Sequence, residues 1–246
     1  MLKRFKEKFI GDKDFYKLVL MVATPMMIQN GITNFVSLLD NIMVGQLGTE
    51  QMSGVAIVNQ LMMVFNISIF GAVSGASIFS AQFYGKGDHE GVRNAFRFKL
   101  VNCLLFAVLG IIVFLTAGSS LIELYLNEGS AESIALTYQY GMEYLMVTIL
   151  GIIPFTLSQV YASTLRETGE TIVPMIAGVI AVLVNLVFNY LLIFGHFGFP
   201  ELGVVGAAVA TLISRIVETI IVITWTHMHS VKNIFIQGVY LHFHIP

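Results

Sequence analysis

The residues of this sequence best suited to chemistry are oxygen-bearing side chains set in apolar surroundings. In "LVLMVATPMMIQNGITNFVSLLDNIMVG", residues 18–45, Asp40 carries the one charge. Asn30, Thr33, Asn34, Ser37, Asp40 and Asn41 recur at spacings of three and four, which puts them on one helix face with Gln29 at its margin. A polar stripe ending in a carboxylate faces a cavity or another helix rather than lipid. A charge inside a membrane span costs at least about 2.5–3.5 kcal/mol on insertion scales, so such a residue is a functional candidate by default. Desolvation disfavours the ionised carboxylate, which makes proton exchange an accessible step. The alternative is that Asp40 lies at the membrane interface and simply ends the span.

Further along, "VLVNLVFNYLLIFG" places Asn185 and Asn189 four residues apart, on one face of a second helix. Carboxamide oxygens are ligands for hard cations, and the same groups make ordinary hydrogen bonds between membrane helices. The residues alone leave both roles open. Arg215 and Glu218 are three apart in another apolar segment and are expected to pair and neutralise each other. Pro25 removes a helical hydrogen bond and is expected to bend the first helix there.

The elements that must position these groups are membrane helices. Of 246 residues, 56% are hydrophobic and 11% charged, and the mean hydropathy is +0.81. Those values exclude an ordinary water-soluble domain. A span needs about 20 mostly apolar residues, and stretches of that kind lie at 18–39, 54–83, 100–118, 142–165, 171–194 and 202–226. The fold class expected is all-α, with six transmembrane helices in one lobe. Lys and Arg are retained in cytoplasmic connections. They fall in the N-terminal segment, in the second connection (Lys86, Arg93, Arg97, Lys99), at Arg166 in the fourth, and at Lys232 after the sixth span. The other connections carry Glu50, Glu123, Glu128, Glu132 and Glu201, so both termini are expected on the cytoplasmic side.

Residues 1–17 read as a cytoplasmic amphipathic segment in which Phe5, Phe9, Phe15 and Tyr16 alternate with Lys, a mixture suited to a headgroup region. The spans run from 18 to 226, and 227–246 begins a cytoplasmic linker. No cleavable signal is apparent. Gly71 and Gly75, and the small residues of "GVVGAAVAT" at 203–211, predict faces that pack on neighbouring helices. His227, His229, His242 and His244 form two His-x-His pairs, but side chains two apart do not share a helix face, so a flexible or interfacial segment is expected rather than a metal site. Cys103 has no partner for a disulfide. The net charge of −2 gives no support to nucleic-acid binding. No Ser/His or His/Asp/Glu constellation appears at matched depth, which argues against an enzyme.

Four stretches carry a family resemblance: "ATPMMIQN" followed by "DNIMVGQLG", "AQFYGKGDHEGVRNAF", "YASTLRETGETIVPM", and "NYLLIFGHFGFPELGVVGAAVATLISR". In that order on six spans, the chain resembles the amino-terminal lobe of a prokaryotic multidrug and toxic compound extrusion (MATE) transporter, one half of a twelve-helix fold. The resemblance implies an antiporter in the cell membrane that exports cationic or amphipathic small molecules, driven by H+ or Na+ and using no cofactor. It implies cation coupling at Asp40, Asn185, Asn189 and Thr211, a helix bend at Pro25, and a substrate cavity faced by Gln29, Asn30, Thr33, Asn34 and Ser37. It also implies a second lobe, either a carboxy-terminal one absent from this sequence or a second copy. Many family members carry Asp where this chain has Asn189, so proton exchange on Asp40 is easier to justify here than tight Na+ binding. The competing readings are a lipid-linked precursor or polysaccharide flippase of the same broader fold, which would call for more basic residues in the spans than Arg215 alone, and a non-transporting truncated membrane protein.

Overall fold

The computed structural model describes residues 12–126 and 129–239. Most of the predicted segment 1–17 and the distal linker, with His242 and His244, lie outside the described residues. Helix α1 spans Lys13–Gly45, α2 Thr49–Gly85, α3 His89–Glu123, α4 Ala131–Thr148, α5 Ile152–Glu167, α6 Ile172–Phe194 and α7 Gly203–Met228. Among the described residues, six segments are long and apolar enough to cross a membrane, with α4 and α5 together forming the fourth. No strand occurs among the described residues.

Local sequence sets the ends of these helices. Asp12, Asp88 and Ser130 cap α1, α3 and α4, their side chains accepting from the backbone N–H of Phe15, Gly91 and Ser133. Gly195 ends α6 in the left-handed conformation at φ 68°, the role for which glycine carries the least penalty. The fourth span is interrupted by a short 3-10 turn at Ile149–Gly151. Pro154 follows, and its missing N–H leaves the carbonyl four residues earlier without a helical donor. The Pro154 carbonyl accepts from Thr219 Oγ1 on α7 at 2.7 Å, tying the broken span to its neighbour. By contrast α1 runs without interruption through Pro25.

Lipid offers little hydrophobic incentive for helices to associate, so close contact relies on small residues and interhelical polar bonds. Helices α6 and α7 form the most extensive pair, and Gly206 of α7 lies so near the Leu192 backbone that a Cβ there would meet its carbonyl oxygen at 2.5 Å. This bears out the expected face at 203–211. The other expected face is corrected: Gly71 and Gly75 are exposed and a Cβ on either would meet nothing within 4 Å. The close approach on α2 is made by Gly54, whose Cβ would lie 2.8 Å from the Gly141 nitrogen and the Thr137 carbonyl of α4.

The helices also extend beyond the apolar windows. The start of α3 at His89 brings Arg93, Arg97 and Lys99 onto a helix instead of a loop. Lys99 is wholly buried and donates to Glu167 at 2.8 Å, to Ser163 and to Thr164, joining α3 to α5. Arg97 donates from Nε to the Val239 carbonyl and from Nη2 to that of Gly238. Phe235 is fully buried against Phe96, with ring centroids 5.0 Å apart. The segment after α7 is therefore folded onto the bundle as far as Val239, which corrects the flexible alternative of the flexible or interfacial segment expected there.

Replacing Gly54 by Val should overpack the α2–α4 contact and cost about 1–3 kcal/mol. The expected outcome is a lower thermal unfolding midpoint of the detergent-solubilised chain, with Gly71→Val, at an open position, close to wild type.

Candidate functional site

Between α1, α6 and α7 lies a cavity of about 550 Å³, a volume suited to a small-molecule ligand. Its α1 wall includes Met26, Gln29, Asn30, Thr33, Ser37 and Asp40. The three-and-four spacing brings these residues round to the same side, as the sequence predicts. Asn34 departs from that expectation: one position past Thr33 it is turned about 100° further round the helix, is exposed, and is not among the cavity-lining residues. Asn41 is likewise exposed.

Asp40 meets α6 at one end of this cavity. Asn189 Nδ2 donates to Asp40 Oδ1 at 2.7 Å. The Asn185 carboxamide satisfies its neighbours with its nitrogen turned to Asp40, donating to Oδ2 at 2.8 Å and Oδ1 at 3.1 Å, while its oxygen accepts from Thr211 Oγ1 at 3.3 Å. Asp40, Asn185, Asn189 and Thr211 thus form one hydrogen-bonded cluster joining α1, α6 and α7. Asn185 and Thr211 line the cavity, whereas Asn189, only 2% exposed, stands behind them. No cation lies within ion-pair distance of Asp40 among the described residues. Asn189 Oδ1 is buried with no donor. The cluster therefore holds one carboxylate, satisfied by neutral amides, beside an acceptor oxygen left open.

The far end of the cavity was less legible. Arg215 and Glu218 pair at 3.2 Å, as their spacing suggests, and Arg215 lies over the Phe155 ring. Arg166, expected in a loop, belongs to α5 and lines the cavity, where its Nη2 donates to Gln29 Oε1 at 3.2 Å. Arg215, expected to be the one basic residue within the spans, therefore shares the cavity wall with Arg166. Thr211 and Arg215 also border a small void of about 110 Å³ on the α2 and α4 side, where Tyr144 Oη donates to Asn59 Oδ1 at 3.4 Å. Sequence reasoning passed over Asn59 and Tyr144, which did not stand out because other polar residues, Gln60 and Asn66 on α2 and Gln139 and Glu143 on α4, lie close to them in the sequence.

Six apolar helices packed into one bundle around this cavity define an all-α membrane-protein lobe. The MatE family model matches residues 25–191, and the chain belongs to that family. It is 34% identical over 206 residues to a probable multidrug resistance protein NorM of Thermotoga maritima, covering 82% of this chain and 42% of that protein. A NorM of Oceanobacillus iheyensis is 30% identical over 200 residues, covering 81% and 43%. A solved multidrug resistance MATE family transporter in an outward-facing conformation superposes with a TM-score of 0.80 at 26% identity, covering 93% of this chain and 49% of that one. A MATE described in a bent conformation gives 0.75 at 28%, covering 87% and 46%. This chain spans less than half the length of the curated relatives it matches, corresponding to their amino-terminal part.

Replacing Asp40 by Leu would strand the Asn189 and Asn185 amides, each buried donor costing about 1–3 kcal/mol. Asp40→Asn keeps an acceptor in place. Thermal unfolding in detergent should rank wild type above Asp40→Asn, and Asp40→Asn above Asp40→Leu.

Proposed function

We propose that this chain is the amino-terminal lobe of a cation-coupled antiporter exporting cationic or amphipathic compounds across the cell membrane. The observation that carries this reading is the placement of Asp40: it faces the large cavity while accepting hydrogen bonds from two amides of α6. A cationic solute in the cavity and a coupling ion would compete for the same carboxylate. Substrate and ion need share nothing else for one to displace the other, because each lowers the affinity of the second by the same factor.

The coupling ion in this reading is H+ or Na+. An ionised carboxylate accepts on both oxygens, whereas a protonated one gives up acceptor capacity and becomes a donor. Protonation of Asp40 would loosen its bonds to Asn185 and Asn189 and offer a new donor to a cluster in which Asn189 Oδ1 lacks one. The link between α1 and α6 would weaken, leaving Pro25 free to act as the bend of α1. For Na+, the oxygens at hand are those of Asp40, Asn185, Asn189 and Thr211. A single carboxylate among neutral oxygens favours the proton.

Both termini are placed on the cytoplasmic side in this reading. Support comes from the basic residues, since Arg97, Lys99 and Lys232 are bonded to residues after α7, at the end of α5 or just beyond it, gathering positive charge at one end of the bundle. Alternating access requires two bundles moving about a shared site. The partner would be a second lobe, encoded in continuation of this chain or supplied by another copy.

The test is dye efflux from cells expressing this lobe together with its second lobe. Asp40→Asn should reduce efflux at least about tenfold and abolish its dependence on external pH. Efflux equal to wild type between about pH 6 and 8 would remove Asp40 from the coupling role. Asn189→Asp should increase the dependence on Na+.

A further inference from the structure

We propose that Arg166 forms an acid-recognising subsite of the large cavity, selecting amphipathic solutes that carry a carboxylate at the end remote from their cationic group. This rests on the reading of that cavity as the solute-binding site, and it narrows the class of solute.

The two guanidinium groups on the wall differ in their partners. Arg215 is neutralised by Glu218 at 3.2 Å and covered on one side by Phe155. Arg166 is half-buried on the same wall, and among the described residues its side-chain hydrogen bond goes to a neutral oxygen, Gln29 Oε1. No carboxylate lies within 4 Å of it among the described residues, because neighbouring Glu167 is taken by Lys99. A guanidinium presents five N–H donors in a planar fork that fits a carboxylate in bidentate fashion. Gln29 occupies one, leaving the remainder for a ligand.

Arg166 also sits where the main cavity meets a second of about 330 Å³, lined by Met63, Ile67, Phe70 and Phe155. A charged head beside an apolar compartment suits an aromatic acid. Gln29, which holds Arg166, and Asp40 are eleven residues apart on α1, about 16 Å along the helix axis at 1.5 Å per residue. The cavity is thus a slot with the Asp40 carboxylate at one end and, at the other, the Arg166 guanidinium, which no carboxylate approaches to ion-pair distance among the described residues. The position of Gln29 depends on Gly178 of α6, where a Cβ would collide with Gln29 Nε2.

The test uses the purified 246-residue chain in phosphatidylcholine nanodiscs and two rhodamine dyes, one with a free carboxyl group and the other its methyl ester, read by fluorescence anisotropy. Wild type should bind the free acid about tenfold more tightly than the ester, the scale of one charge-assisted pair. Arg166→Gln should remove that preference by weakening the acid alone. Retained ester binding shows that the variant is folded. Should Arg166→Gln not fold, Arg166→Lys serves instead: it keeps the charge without the fork, and acid preference must fall with ester binding unchanged. Gly178→Ala, which displaces Gln29, should lower the preference in the same direction. Equal affinity of wild type for both dyes, or equal loss of both in Arg166→Gln, would overturn the subsite while leaving drug binding in place. Failure of wild type to bind either dye would overturn the cavity reading itself. Displacement of the acid by phosphatidylglycerol in the nanodisc would reassign Arg166 to a lipid headgroup and overturn the proposal.

Discussion

The contact on which the cavity depends is the 2.7 Å hydrogen bond from Asn189 to Asp40, reinforced by Asn185. Helix α1 has little else to hold it: among its described side chains only Val36 and Val44 are buried. In lipid, an amphipathic preference cannot press a helix onto its neighbours as it does in water, so polar bonds carry a larger share of the attachment. Helix α1 is fastened to the bundle by polar bonds at separated points, at Asp40 and at the Gln29–Arg166 bond eleven residues away, and between them Val36 is its one buried side chain among the described residues, so the cavity stays open along this stretch.

The remainder of the bundle is built differently. Helices α6 and α7 approach backbone to backbone at Gly206, α2 and α4 do so at Gly54, and a buried Lys99–Glu167 pair joins α3 to α5. Breaking such a pair leaves a charge in a medium that cannot solvate it, which makes the joint costly to separate. The lobe therefore joins most of its helices by close backbone approach and a buried ion pair, whereas the side-chain bonds that attach α1 at Asp40 and Gln29 line the cavity.

Much of this was legible in the sequence because the bilayer imposes its own pattern. Apolar windows of about 20 residues locate all six spans, and the three-and-four recurrence from Asn30 to Asp40 identifies the face of α1 that meets the cavity. What was lost lies at the limits of those two signals. Hydropathy follows the hydrocarbon core and stops where charges begin, so the first turns of α3 and the last of α5, with Lys99 and Arg166, read as loops although both residues are on helices and Lys99 is wholly buried. Periodicity defines a face only to within a residue's rotation, which is how Asn34 was included with Thr33. The Gly71 and Gly75 spacing permits close approach without supplying a helix to approach, and none lies there among the described residues.

Asn189 shows how a single side chain sets the charge of the site. An acid at that position would place two carboxylates side by side, and both could not remain ionised without a cation between them. With an amide there, the cluster is satisfied with one negative charge and no ion, and it donates to Asp40 where an acid would repel it. The consequence extends across the cavity. The single charge of Asp40 at one end of the cavity is matched at the other by Arg166, which has no carboxylate within ion-pair distance among the described residues, while Arg215 and Glu218 pair with each other. Any event that neutralises Asp40 would leave the slot with a net positive charge, turning a cavity that accommodates both ends of a zwitterion into one that retains only the acidic end.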